Sequence, residues 1–220
     1  SSCSISATAA SVMATGVAAR RRPINSNGGR QENRPDRAGP GDYGPATMPR
    51  PPLPTIPLDA DESTTLSAFL DFYRAALLDR AHGLDDEQLR RTHAPTTLSL
   101  ARLLGHLAFV EYTWFANRLD DEAMPEPWAS LDWAADPDAE MTLAESMPGD
   151  ELRAAYLAAG ADAGRRTAAA ESLDQLSARA DGAGDRWTLR WILVHMIEEY
   201  ARHCGHADLI RESIDGDQAP

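Results

Sequence analysis

Apolar residues recur at three- and four-residue spacing in four long segments, and no convincing run of alternating β-branched residues appears. That pattern predicts helices and no sheet. In the first segment Leu66, Phe69, Leu70, Tyr73 and Leu77 form one stripe, with Asp61 or Ser63 as the starting cap and Gly83 as the stop. A second helix is predicted from about Ser99 to Arg118, with Leu100, Leu103, Leu104, Leu107, Val110 and Trp114 inward. A third, Ala-rich helix should run from about Asp150 to Ala170. A fourth should run from Thr188 to about Ser213, with Gly216 as its C-terminal stop. Four amphipathic helices predict an all-α fold, an antiparallel four-helix bundle.

The connections are read as loops. LDDEQLRRTHAPTT holds at most a short helical turn, and LSARADGAGDRW none. The stretch DDEAMPEPWASLDWAADPDAEM is acidic and Pro-bearing, so it is expected to be a long linker pinned to the bundle by Trp128 and Trp133. Composition changes near residue 48. Residues 1–47 carry SNGG, RPDRAGPGDYGP and few large apolar side chains, so disorder is expected there. Their Ser- and Arg-bearing start faintly echoes a transit peptide. The folded domain is expected to span 48–217, with Met48 as the natural start of the folded unit.

Charge removes several function classes. Residues 1–50 carry seven Arg and three acids, whereas 51–220 carry fourteen Arg and 31 acids. A net charge of −13 is unsuited to nucleic acid, whose phosphates need a basic face. No run of 18 apolar residues occurs, so no membrane span is expected. The chain has no Lys, which excludes Schiff-base and P-loop lysine chemistry. Its two cysteines, Cys3 and Cys204, cannot build a disulfide framework and suit a cytoplasmic location. GxGxxG, Walker A, GxSxG, CxxC and HExxH are all absent.

The chemistry concentrates on the fourth helix, TLRWILVHMIEEYARHCGHADLIRES. At roughly 100° per residue, His195, Glu199, His203 and His206 fall within a wedge of about 80°. Residues at i and i+4 point the same way and can converge on one ion. The wedge borders apolar Leu193, Met196, Ile197 and Tyr200, where a lone carboxylate would be costly and a cation would compensate it. A further ligand must come from another helix, and His106 in LLGHLAFVEY is the natural candidate, with Gly105 permitting close approach. Taken singly, His106 reads as a core histidine and Glu199 as an ion-pair partner of Arg202 or Arg118. Taken together, these residues read as a metal site. His82 and His93 are expected to face solvent. Tyr200, Trp187 and Trp191 are expected in the core, Glu111 in an ion pair, and Cys204 as a packed thiol.

The segments TTLSLARLLGHLAFVEYTWF and RWTLRWILVHMIEEYARHCGHADLIRESIDG resemble the two signature helices of the DinB-like superfamily of four-helix-bundle metalloproteins. The likeness covers about residues 55–216 and is nearest the mostly actinobacterial-type branch. It implies one divalent cation held by His106, Glu199 and His203, with His195 and His206 as secondary candidates. The family commonly binds zinc or nickel; a His/Glu/His set suits manganese and iron as well, and zinc is the first expectation. Relatives often carry HxxxH on the last helix. The Glu199 departure is similar to the set in mycothiol-dependent maleylpyruvate isomerase.

The resemblance also implies a small-molecule partner, with mycothiol as co-substrate. The expected function is an enzyme that activates a low-molecular-weight thiol for transfer to, or isomerisation of, a small electrophile. A cation with an open position would lower the pKa of the thiol. The rival readings are a metal-dependent hydrolase and a non-enzymatic, metal-stabilised, stress-linked binding protein. A homodimer is an expectation open to test.

Overall fold

Asp61 caps the first helix, its carboxylate accepting from the Thr64 amide at 2.7 Å. The helix that follows, α1, spans Glu62–Arg80 in a computed structural model that describes Arg50 and residues 52–218. The expectation of disorder over 1–47 lies outside the described residues. Gly83 adopts φ +71° just past the end of α1, the left-handed turn that a glycine makes without strain. A single helical turn, α2 (Asp86–Leu89), follows, closed by a reciprocal box between Asp85 and Gln88.

The second long segment starts where the sequence predicts, at Ser99. Ser99 accepts from the Arg102 amide, and α3 runs Leu100–Glu111. The coil then widens into a π-helical stretch, Tyr112–Leu119, rather than continuing as a plain α-helix to Arg118. The last two long helices are α5 (Gly149–Ala169) and α6 (Leu189–Asp215). Thr188 caps α6, and Gly216 at φ +78° ends it. No strand occurs among the described residues; the nearest approach is one bridge between Leu176 and Thr188.

The acidic linker departs from the sequence expectation. It holds a 3-10 turn, Trp128–Ser130, and an eight-residue helix, α4 (Ala139–Ser146). The short helix is stable because it docks: Ala139 and Ala144 are buried, and α4 packs against α3. Its far end is clamped, since Arg102 grips the Glu145 carboxylate and Arg90 donates to the Glu145 and Met147 carbonyls. Trp128 is buried, as a pinning indole must be, but Trp133 is 37% exposed. Both lie near the Phe109 ring.

Helix α1 packs against α6, while α3 packs against α5 and α6. The apolar stripes meet between them: Leu70, Leu77, Leu103, Leu104, Leu107, Leu152, Ile192, Leu193 and Met196 are all essentially inaccessible. Each such side chain contributes on the order of 2 kcal/mol of transfer free energy. One polar network crosses this core. Glu111 is fully buried, yet it accepts Arg74 Nε at 2.6 Å, Arg74 Nη2 at 2.8 Å and the Tyr200 hydroxyl at 2.8 Å. The ion pair expected for Glu111 is thus made with Arg74. Satisfying every oxygen is what makes a buried carboxylate tolerable.

Candidate metal centre

Two rigid helices bring the predicted residues together. On α6, Glu199 and His203 are one turn apart, and Glu199 Oε2 lies 3.5 Å from His203 Nε2. On α3, His106 projects from beside Gly105, and its ring meets His203 with centroids 5.0 Å apart at 65°. One ligand atom from each of His106, Glu199 and His203 lies within 4.8 Å of the other two. Tetrahedral coordination at about 2.0–2.2 Å would set such atoms roughly 3.3–3.6 Å apart, a closure that side-chain rotation supplies.

The two secondary candidates occupy different places. His195 is one turn back on α6, with Nε2 3.9 Å from Glu199 Oε1, and it forms a second group with Glu198 and Glu199. His206 stands behind the trio, its Nδ1 3.4 Å from His203 Nδ1. Among the described residues it belongs to neither group of convergent ligand atoms. His82 is half-buried and His93 exposed, both apart from the site.

The Glu199 carboxyl is held below its ordinary value, first by its interaction with His203 and against the effect of burial. Burial lowers the pKa of His195 and, together with the charge of His203, that of His206. A second carboxylate, Glu140 on α4, also faces the trio. It is 6% exposed, and its Oε1 lies 3.0 Å from His106 Nδ1. Its other oxygen is buried with no hydrogen-bond partner among the described residues. Two carboxylates, Glu199 and Glu140, face this space without a close arginine, since Arg202 is directed chiefly to Glu198 and stays 4.0 Å from Glu199. The donor set of two imidazoles and one carboxylate suits a borderline divalent ion, and the orphaned charge fits one.

Sequence reading missed Glu140, because it placed that residue in a loop. The string AEMTLAES carried the available signal: Ala139 and Leu143 lie one helical turn apart, as do Glu140 and Ala144. Trp191 was also misjudged. It is 46% exposed rather than in the core. Trp191 stacks on His195 at 5.0 Å and 19°, and Trp114 meets Trp187, Trp191 and His195 edge-on or tilted. Arg118 lies over the Trp187 ring at 5.4 Å. An aromatic wall, open at Trp191, therefore begins one turn from Glu199. Cys204 is buried, donates toward the Tyr73 carbonyl, and has its pKa pushed up to about 12 by burial. It is a packed thiol, as expected, and no nucleophile.

A protein-family model described as mycothiol-S-transferase matches residues 65–216. No curated protein matches the chain.

Proposed function

This chain belongs to the mycothiol-S-transferase family, within the DinB-like superfamily, and on that premise we propose that it is a divalent-metal-dependent enzyme acting on a low-molecular-weight thiol of the mycothiol type. The observation that carries the metal is the convergence of His106, Glu199 and His203 from α3 and α6. We assign the ion, zinc first, to those three side chains. Three protein ligands leave a position for an exogenous group, as in catalytic sites and unlike closed structural ones. A cation there supplies Lewis acidity that favours the thiolate form of a thiol at neutral pH.

The remaining work falls to the chain. Glu199 contributes the one anionic ligand, which lowers the net charge of the centre and keeps an exogenous ligand exchangeable. Trp191, Trp114 and Trp187 offer ring faces on which the body of a small substrate can lie. In the transfer we propose, the thiol sulfur would bond to the electrophilic carbon of the acceptor as the bond from that carbon to its leaving group breaks, the pair of electrons going with the leaving group and the thiol proton going to solvent water. We read the domain 48–217 as an antiparallel four-helix bundle formed by α1, α3, α5 and α6. The pairing of α1 with α6 and of α3 with α5 supports this reading.

The test is metal analysis of the purified protein, followed by conjugation of a model electrophile with mycothiol and with unrelated thiols. One bound metal and a rate dependent on mycothiol are expected. Metal without any thiol dependence would overturn the transferase reading. Hydrolysis of an ester or amide by that metal-loaded protein would install the hydrolase in its place.

A further inference from the structure

We propose that Glu140 is a positioning residue for His106: it accepts the Nδ1–H of that imidazole and so turns Nε2 toward the space shared with Glu199 and His203. The inference rests on the metal reading above and deepens it. An imidazole has two nitrogens, and the one left free to bind is set by the hydrogen bond that the other makes. At 3.0 Å the Glu140 Oε1 to His106 Nδ1 contact is of hydrogen-bond length, and both side chains are largely withdrawn from solvent.

A structural reading of Glu140 explains less. An acid in the first turn of α4 does favour the helix dipole. That benefit needs no burial, and burial of a carboxylate is costly. The other acids that tie the fold together are matched by arginines: Glu111 by Arg74, and Glu145 by Arg102. Glu140 has no such cation. Its single polar contact among the described residues is His106, and its second oxygen is orphaned. A buried anion bonded only to an imidazole becomes favourable when the far side of that imidazole meets a positive charge.

The chain also builds the approach that brings Glu140 in. A Cβ on Gly105 would lie 2.2 Å from Ala144 Cβ and 3.4 Å from the Glu140 carbonyl oxygen. Only the missing side chain lets α4 seat this close to α3, with Ala144 fully buried at the contact. The residue beside the predicted ligand is thus the one that admits the helix bearing its partner. The clamps of Arg102 and Arg90 on Glu145 and Met147 hold that helix from the opposite end.

Two measurements test the assignment on the full chain. The first is ring-nitrogen NMR of His106 in the metal-free protein at pH 8. The wild type should carry its ring proton on Nδ1, and Glu140→Ala should lose that fixed tautomer. The second is zinc affinity by chelator competition. Glu140→Ala should bind about 10- to 100-fold more weakly, whereas Glu140→Gln, which still offers an acceptor oxygen, should recover most of the loss. Rescue by Gln separates positioning from mere filling of space. If Glu140→Ala fails to fold, the Gln variant and the wild-type tautomer decide. An unchanged tautomer or unchanged zinc affinity in Glu140→Ala overturns the proposal, as does a wild-type ring proton on Nε2. If the wild type itself binds no zinc, the metal reading fails, and the tautomer measurement still decides the contact.

Discussion

His106 on α3 and His203 on α6 face each other with ring centroids 5.0 Å apart and planes at 65°. Two imidazoles rarely share an apolar interface without something between them, because each must leave a nitrogen unsatisfied or find it a partner. Here the outer nitrogens are partnered, by Glu140 and by His206, and the inner side is shared with Glu199.

The first prediction concerns those three groups. His106→Ala and His203→Ala should each abolish bound metal, and Glu199→Ala should reduce it nearly as far. His82→Ala, whose imidazole lies apart from the trio, should retain full stoichiometry. His206→Ala should keep the metal but weaken affinity by about 10-fold or more, since it removes only the outer partner of His203. Metal content by elemental analysis, with chelator competition, checks all five. Full occupancy in His106→Ala or His203→Ala would refute the ligand assignment.

The aromatic wall makes a separate prediction. Trp191→Ala should raise the KM for the thiol or its acceptor by roughly two- to tenfold, the value of a lost stacking contact, with metal content unchanged. Steady-state kinetics at saturating metal are the readout. Because Trp191 is 46% exposed, the melting temperature should move little.

Glu111 governs stability, not chemistry. Glu111→Ala strands the Arg74 guanidinium and the Tyr200 hydroxyl in the core. The expected loss is about 3–5 kcal/mol, the usual result of breaking one side of a buried pair. Urea denaturation measures it. A loss below about 1 kcal/mol would mean that the network is dispensable.

Cys204 should be inert while the protein is folded. A thiol whose pKa is pushed up to about 12 is almost entirely protonated at pH 8, and this one is also buried. In a Cys3→Ser background, a thiol-specific reagent should label nothing in native buffer. It should label one group per chain in denaturant. Reactivity should rise with pH, because the raised pKa keeps the nucleophilic form scarce until strongly alkaline conditions. Stoichiometric labelling of the native protein at pH 8 would contradict the buried placement.

Gly105→Ala probes the seat of α4. The added methyl meets Ala144 Cβ at 2.2 Å, so α3 and α4 must part. Overpacking of this kind costs about 1–3 kcal/mol, read by the same denaturation experiment. Zinc affinity should fall with it, because Glu140 moves with α4. Stability equal to wild type would show that the close approach is not needed.

The ligand stripe on α6 was legible because helical periodicity is a local property. Once 27 residues are helical, positions 199 and 203 share a face whatever surrounds them. The Asp61 cap and the starts near Ser99 and Thr188 were legible for the same reason, and each of these side chains accepts from an amide three residues on. Trp191 was misread because periodicity ranks faces by composition. It cannot say which apolar face meets another helix and which is left open to solvent.

Helix α4 marks the boundary of that method. Eight residues are too few to be stable as a helix in isolation, and the Pro-bearing acidic flank argues for a loop. What stabilises them is contact with α3, which no local signal encodes. Gly105 was visible as a place for close approach, but not as the seat of Ala144.

The sequence by itself therefore determined the four long helices, their approximate starts and a pool of candidate ligands, His106 together with His195, Glu199, His203 and His206. These follow from backbone geometry and from side-chain chemistry at fixed spacing. Only the tertiary structure decided that α3 and α6 bring ligand atoms of His106, Glu199 and His203 within 4.8 Å of one another, that Glu140 lies against His106, and that Trp191 stays open to solvent. Those outcomes depend on how surfaces distant in the chain pack together, and packing is settled by shape and burial across the whole fold.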